Sequence, residues 1–392
     1  MSKRLLIFFL GSLFLNFLNC NLFIAEEDTL TILFTADIRG KLKSVRTSEE
    51  YLGDLAILKT LALREKAFSE HALLVDAGDW TGLQGENLFI HFLRARLIMD
   101  AFGKIGYDAI TPGEMDFFFG VQFLKKEAEK NNVPIVLANL FDANGNNPFI
   151  PYIIKKFERR KVLLTGVLHP GVVVEGYFLE PPVLTLQRIA DVARKENVDV
   201  VVVLSHLGYS NDQGFFPMVE GVDVVVSAHS EEYLTAPGVA GKALILKSTI
   251  RGQHLGKLQL RISGKRPFNF VQMGLVSPTT VRYDLIAVKP TVAPPNPVME
   301  KFIETYFDKY AGLSELSSRC LPCHAERITR WLEGPHSKNR IGCTYCHDVP
   351  DKHLTDKSKF LNRDSARAVC SSCHNYSPEK VIEILKNMGC SK

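Results

Sequence analysis

Residues 28–287 alternate short apolar segments with amphipathic stretches. The apolar segments have the length of buried strands, whereas the stretches between them repeat apolar residues at helical spacing. The predicted strands cover residues 30–36, 72–76, 133–137, 161–167, 198–204 and 222–226, and the predicted helices cover 87–102, 120–130 and 184–196. This alternation indicates an α/β domain in which sheet layers are covered by helices.

The pattern changes beyond this α/β domain, which we place at 28–288. The next region, 289–312, combines a proline-rich linker with a helix predicted over 298–310. Its prolines are Pro290, Pro294, Pro295 and Pro297. Residues 313–392 lack long apolar strands and are rich in cysteine, histidine and charge. Such a segment cannot build a sizeable core from side chains alone, so it needs an internal cross-link or a bound cofactor to stabilise it.

The N-terminus has the pattern of an export signal, which we place at residues 1–25. Lys3 and Arg4 precede an apolar run over 5–18 that is too short and interrupted for a spanning helix. Cys20 follows this run and would be the lipidated residue of a lipoprotein attached to the membrane. Simple cleavage and an uncleaved anchor remain as alternatives. The sequence thus predicts a periplasmic or other extracytoplasmic location.

The composition bears on which macromolecules the protein binds and on whether its cysteines form disulfides. Hydrophobic residues make up 46% of the 392 residues and charged residues 23%, and the formal net charge is +4. Because acids and bases are interspersed, we predict no nucleic-acid partner and no polybasic membrane patch. The eight cysteines include none between residues 21 and 319. Six of them fall into three identical spacings, which does not suit a disulfide framework.

The C-terminal segment contains three C-x-x-C-H motifs. Two thiols at this spacing can each bond one vinyl group of a porphyrin, and the histidine then lies against the iron. The motif residues are Cys320, Cys323 and His324; Cys343, Cys346 and His347; and Cys370, Cys373 and His374. Zinc sites or redox dithiols would need the cysteine pairs but not a histidine after each pair. We therefore predict three covalent haem c groups in a trihaem cytochrome c domain at 313–392.

The distal iron ligands are predicted from the remaining side chains of this segment. His336 and His353 are the other histidines present there, and for the third haem Met388, a histidine of the α/β domain or an open site are alternatives. Residues 319–375 resemble the multihaem cytochromes grouped with the tetrahaem cytochromes of nitrifying bacteria. The resemblance rests on a C-x-x-C-H motif, Trp331, His336 and a second C-x-x-C-H motif. It implies that His336 is a distal ligand.

Five motifs of the α/β domain resemble those of the calcineurin-like metallophosphoesterases, specifically the periplasmic 5′-nucleotidases of bacteria. In chain order they lie at residues 35–40, 76–79, 113–117, 204–208 and 228–231. The resemblance implies a four-layer β-sandwich flanked by helices. It also implies a site for two metal ions that bind phosphate and activate water, with Asp79 as the carboxylate between them.

The first metal position of that family is altered in this chain. Asp37 matches its aspartate, but Arg39 and Glu231 stand where the resemblance implies two histidines. We hypothesise that Arg39 and Glu231 pair across this position, with the guanidinium in place of the cation and with Asp37 as a further partner of Arg39.

The second metal position retains more of its ligands. The resemblance implies His206, His229 and Asp79 as ligands, with Glu114 in place of an asparagine. These four side chains suit one zinc, iron or manganese ion. Met115 replaces the histidine that the family uses in catalysis, so phosphoester hydrolysis is expected to be slow. A site without metal and a site with two metals are the alternatives.

The sequence leads us to predict electron transfer through three haems as the main function, with redox partner proteins outside the cytoplasm. One alternative is a metal-dependent phosphohydrolase of the 5′-nucleotidase kind that carries a haem domain. Another is a haem enzyme that reduces a small nitrogen or sulfur compound.

Overall fold

The computed structural model describes residues 28–46, 51–82, 88–264, 268, 270–272, 274–308, 379–380 and 383. Nearly all of these belong to the predicted α/β domain. In this part of the chain, no helix combines the length and the apolar character that crossing a bilayer requires.

Strands and helices alternate along the domain. In chain order the strands are β1 (Asp28–Thr35), β2 (Val45–Arg46), β3 (Tyr51–Leu52), β4 (His71–Asp76), β5 (Ala109–Ile110), β6 (Leu140–Asp142), β7 (Tyr152–Lys156), β8 (Lys161–Leu168), β9 (Tyr177–Leu179), β10 (Val200–His206), β11 (Val224–Ser227), β12 (Gly238–Ala240), β13 (Ala243–Leu246), β14 (His254–Ile262), β15 (Val271–Gln272), β16 (Leu275–Val276) and β17 (Val281–Ala287). The α-helices are α1 (Leu55–Ala67), α2 (Leu88–Ile105), α3 (Val121–Asn131), α4 (Pro182–Lys195), α5 (Tyr209–Phe215) and α6 (Pro297–Asp308). Short 3₁₀ helices cover Glu114–Phe119, Phe216–Met218 and Ile250–Gly252.

Two mixed sheets form the centre of the domain. The first sheet has the strand order β17-β14-β1-β4-β5, and the second has the order β12-β13-β11-β10-β8-β7. Strand β1 runs parallel to β4, and β10 runs parallel to both β8 and β11. The carboxyl ends of parallel neighbours meet at one edge of each sheet, which is where ligand sites of open α/β sheets form.

The two sheets pack face to face around an apolar layer. Ile32 and Val75 of the first sheet and Val202 and Val226 of the second are fully buried in it. Helices α1, α2, α3 and α6 cover the outer face of the first sheet, and α4 covers the outer face of the second. The predicted four-layer α/β class is thus confirmed for this part of the chain.

Some elements differ from the prediction. The prediction of a strand over 133–137 is wrong. This segment forms only isolated β-bridges, between Ile110 and Ile135 and between Val136 and Ile150. Pro134 lies within it and has no N–H to donate to a ladder. Strands β14 and β17 were not predicted, because polar residues interrupt both strands and many positions of β17 are only half-buried.

The helix that follows the proline-rich stretch packs on the α/β domain. Met299 and Ile303 of α6 are buried in the same apolar cluster as α1 and α2. The backbone N–H of Asn296 donates to the carbonyl of Ala56 in α1 at 3.0 Å. Helix α6 is therefore part of the helical layer over the first sheet.

Candidate metal centre

The predicted metal ligands lie where strands of both sheets end. Asp37 follows β1, Asp79 follows β4, His206 is the last residue of β10, and His229 follows β11. The loops after β1 and β4 are joined by backbone hydrogen bonds from Asp37 N to Gly78 O and from Arg39 N to Asp79 O, both at 2.8 Å. The fold thus brings residues far apart in sequence to one edge of the sandwich.

The backbone of these loops is strained at the site. Asp37, Arg39, Asp79 and His229 have φ values of 52°, 50°, 55° and 66°. They are four of the seven non-glycine residues with positive φ in the described part of the chain. Such conformations are costly for residues with a Cβ, and they persist where surrounding contacts impose them. Their concentration here indicates loops shaped around a functional site.

Glu114, His206 and His229 converge on one point. Oε2 of Glu114 lies 2.9 Å from His206 Nε2 and 3.0 Å from His229 Nδ1. Each residue offers one atom that could ligate a metal, and these three atoms lie within 4.8 Å of one another. Tetrahedral ligands at 2.0–2.1 Å from a zinc ion are separated by about 3.3 Å, so small shifts would let all three bind one ion. The described residues thus fit a divalent metal at this position.

The imidazole of His206 is fixed in orientation by the backbone. Its Nδ1 donates to the carbonyl of Ala77 at 2.8 Å, which directs Nε2 towards Glu114 and towards Asp79 Oδ1 at 3.6 Å. This is the arrangement in which proteins orient metal-binding histidines. Burial opposes protonation of His206, but its contacts with Asp79 and Glu114 outweigh burial and raise its pKa well above the usual value.

The charge of Glu114 is stabilised by the same contacts. Burial disfavours its ionised form, but hydrogen bonds from His206 and His229 outweigh this effect and hold the pKa of Glu114 well below its usual value. The carboxylate is therefore ionised and available as a ligand at neutral pH.

Asp116 holds the loops around the site together. Its carboxylate accepts hydrogen bonds from the backbone N–H groups of Asp79, Thr81 and Gly113 at 2.8–2.9 Å. Met115 N in turn donates to Asp79 Oδ1 at 3.1 Å. Burial, followed by the nearby charge of Asp79, raises the pKa of Asp116. Asp116 lies in the motif at residues 113–117, but the sequence alone does not indicate this role.

The altered first position contains the ion pairs expected from the sequence. Arg39 Nη1 donates to Glu231 Oε1 at 3.0 Å, and Arg39 Nη2 lies 3.5 Å from Asp37 Oδ1. Asp37 is buried, whereas Glu231 is exposed to solvent. Asp37 is not among the three residues that converge on one point, although the family resemblance implies a metal-binding aspartate at its position.

Two further residues of the site were not found from the sequence. Lys247 directly follows β13 and is fully buried, with Nζ 3.9 Å from Asp37 Oδ2. His169 directly follows β8, and its ring stacks on that of His229 with centroids 6.2 Å apart. Both residues stand at carboxyl ends of parallel strands, which is the signal that could have identified them.

The predicted haem ligands lie outside the described residues. They are Cys320, Cys323, His324, Cys343, Cys346, His347, Cys370, Cys373 and His374, with His336 and His353 as distal candidates. Met388 and the export signal with Cys20 lie outside them as well.

Comparisons with known proteins concern the α/β domain. No protein family model matches the chain. A snake venom 5′-nucleotidase from Gloydius brevicauda is 30% identical over 222 residues, which cover 52% of this chain and 37% of that enzyme. The match therefore spans well under half the length of this relative.

Solved structures match a larger part of the chain. The 5′-nucleotidase precursor from Thermus thermophilus has a TM-score of 0.63 and 22% identity, covering 73% of this chain and 60% of that one. The calcineurin-like phosphoesterase YfkN from Bacillus subtilis has a TM-score of 0.60 and 19% identity, covering 72% and 97%. The α/β domain is thus similar in sequence to 5′-nucleotidases and similar in fold to 5′-nucleotidases and calcineurin-like phosphoesterases.

This 5′-nucleotidase-like domain corrects the functional prediction. The prediction of an electron-transfer cytochrome as the main function is wrong, because sequence relatives and solved structures both point to a 5′-nucleotidase or metallophosphoesterase. These comparisons give no support to a haem group. The alternative of a metal-dependent phosphohydrolase fits these findings better.

Proposed function

We propose that this chain is a metal-dependent phosphohydrolase of the 5′-nucleotidase type that works with one divalent ion. The observation that carries the proposal is the convergence of Glu114, His206 and His229 on one point, with Asp79 beside them. Two imidazoles and a carboxylate suit zinc, manganese or iron. When bound, such an ion polarises a phosphoryl oxygen and lowers the pKa of a coordinated water.

The residues around this cluster supply the remaining features of a phosphate site. Ala77 fixes the ring of His206, and Asp116 holds the loop that carries Asp79. The partly exposed guanidinium of Arg39 offers N–H donors to phosphate oxygens, which form strong charge-assisted hydrogen bonds. His169 accepts a hydrogen bond from Gly171 N through Nδ1, so its proton is on Nε2 and can be donated to a bound anion.

The proposed substrates are nucleoside 5′-monophosphates and simple phosphomonoesters. The venom relative is named for 5′-nucleotidase activity, but this chain spans a minor part of its length, and the substrate therefore rests on the domain alone. The side chain of Met115 cannot transfer a proton, so the rate without a general acid is expected to be lower by about 10²–10⁴-fold than with one.

A matched pair of variants tests this function. Glu114→Ala removes the carboxylate shared by both imidazoles, and we expect it to abolish metal binding and the release of phosphate from adenosine 5′-monophosphate. Glu175→Ala is the control, because Glu175 is exposed and lies outside the cluster. Equal turnover of both variants with Mn²⁺ present would refute the proposal.

We also propose, from the C-x-x-C-H motifs alone, that the C-terminal segment binds haem c covalently. Intact mass spectrometry of protein matured in a competent host tests this. Three added haem groups are expected, and one fewer is expected after Cys343→Ala together with Cys346→Ala. A mass equal to the bare processed polypeptide would refute it.

Export is a further part of the proposal. The predicted signal peptide and the venom origin of one relative support an extracytoplasmic location. Attachment through a lipid on Cys20 is the finer proposal, and Cys20→Ser is expected to release the protein from membranes during cell fractionation. An unchanged membrane fraction in that variant would contradict lipid attachment.

A further inference from the structure

Lys247 is a buried cation that the proposed reaction does not use. Its side chain is fully buried, and its Nζ makes no hydrogen bond to any described residue. Burying an ammonium group is unfavourable unless an opposite charge compensates it. The compensating group is the carboxylate of Asp37, whose Oδ2 lies 3.9 Å from Nζ.

A second cation faces the other oxygen of the same carboxylate. Arg39 Nη2 lies 3.5 Å from Asp37 Oδ1, and Arg39 Nη1 bonds Glu231 at 3.0 Å. Asp37 therefore has a positive side chain at each of its oxygens. Lys247 lies after β13, far along the chain from the loop that carries Asp37 and Arg39, so the fold rather than local sequence creates this arrangement.

These residues do not fit a second metal ion at Asp37. A guanidinium and a protonated amine have donors only and no lone pair for a metal. A divalent ion bound to Asp37 would also lie within a few ångströms of both positive groups, which repel it. The donor set here contrasts with Glu114, His206 and His229, whose carboxylate and imidazole groups offer lone pairs once a metal displaces the proton from His206 Nε2.

We propose that Lys247 and Arg39 replace a second metal ion beside Asp37, so that the site holds a single divalent ion. The two side chains compensate the charge of Asp37 without a metal from solution. This inference rests on the proposed function for the identity of the single ion, but the number of ions can be measured independently of any activity.

The test is the number of Mn²⁺ ions bound per chain, measured by isothermal titration and by elemental analysis after gel filtration. Wild-type protein is expected to bind one ion. The variant carrying Arg39→His and Lys247→Gln offers lone pairs in place of both cations and is expected to bind two. Lys242→Gln, at an exposed lysine, is the matched control and is expected to bind one.

A second variant removes the buried charges as a pair. Asp37→Asn with Lys247→Met leaves no unpaired buried charge, a type of replacement that is often neutral for stability. It is expected to fold and to bind one ion, because Asp37 is not a ligand.

The outcomes separate the inference from the proposed function. Two ions in wild type, loss of the ion in the second variant, or a single ion in the folded Arg39→His, Lys247→Gln variant would each overturn the replacement of a metal by Lys247 and Arg39. If wild type bound no ion and the Arg39→His, Lys247→Gln variant bound one, the result would support the replacement of a metal by Lys247 and Arg39. The same result would refute the proposed one-metal phosphohydrolase.

Discussion

Gly113 lies against His206 and Asp79, two side chains of the candidate metal centre. A Cβ added at this position would lie 2.6 Å from His206 Nε2 and 2.5 Å from His206 Cε1, and closer still to Asp79 Oδ1. Ordinary contacts of a Cβ begin at 3.4 Å. Gly113→Ala therefore requires the imidazole and the carboxylate to move by roughly 0.8 Å or more, a distance obtained from these contacts.

Such a shift has a calculable effect on binding and catalysis. Disturbed orientation of metal ligands typically weakens metal binding by about 10–100-fold, and a misplacement of about 1 Å can lower turnover by about 10²-fold. Overpacking of this kind typically destabilises a protein by about 1–3 kcal/mol. We expect Gly113→Ala to fold, to bind Mn²⁺ more weakly and to lose most phosphate release.

The assay compares this variant with Gly214→Ala. Gly214 lies in α5, and a Cβ added there would meet no heavy atom within 4 Å, so its substitution is expected to leave metal binding unchanged and to raise stability slightly. Metal affinity is measured by titration and the free energy of unfolding by urea denaturation. Unchanged metal affinity and turnover in folded Gly113→Ala would refute the placement of His206 and Asp79 at the metal.

Three other predictions concern catalysis and stability. Met115→His restores an acid beside Asp79 and is expected to raise kcat for adenosine 5′-monophosphate by about 10²-fold or more; an unchanged kcat would contradict this. Burial raises the pKa of Asp212 from 3.8 to about 7. The folded protein therefore keeps a proton on Asp212 that the unfolded chain loses, and this contribution to stability falls as pH rises from about 4 to 7. The Tm of Asp212→Asn minus the Tm of wild type is therefore expected to increase between pH 5 and 8. A Tm difference that stays constant over this pH range would contradict the prediction. Arg96→Met leaves Glu127 buried without its 3.0 Å partner and is expected to cost about 3–5 kcal/mol in urea unfolding, whereas adding Glu127→Leu should recover most of this loss.

The sequence predicted the central strands because they are buried on both faces. Every residue of β10 is buried between layers, so its run of valines shows no alternation and is easily recognised. Strand β17 lies at the edge of its sheet and is partly exposed. Its mixed polar and apolar residues carry a weaker signal, and only the pairing with β14 defines it as a strand.

The candidate site was predictable as far as its motifs extend. Asp79, His206 and His229 stand in short motifs with a recognisable order, and the structure places them together. Lys247 lies 210 residues after Asp37 in the sequence, and only the packing of the two sheets brings the two side chains within 3.9 Å. A lysine at the end of an apolar strand gives no indication from the sequence of which carboxylate it will face.

The functional prediction gave too much weight to the C-terminal cysteines. Three repeated C-x-x-C-H motifs form a short and specific pattern, whereas the altered ligands Arg39 and Glu231 made the α/β site look inactive. In the folded domain Glu114 stands where the resemblance implies an asparagine, and its Oε2 still contacts the imidazoles of His206 and His229. The altered residues beside Asp37 therefore do not exclude a metal at the cluster of Glu114, His206 and His229.

The α/β domain is proposed to hydrolyse phosphoesters with one bound metal ion. The most direct test is the release of phosphate from adenosine 5′-monophosphate by metal-stripped full-length protein during titration with Mn²⁺. We predict no release without metal, a rise with each addition and saturation at one equivalent per chain. The absence of metal-dependent phosphate release at any Mn²⁺ concentration would contradict the proposed one-metal hydrolysis.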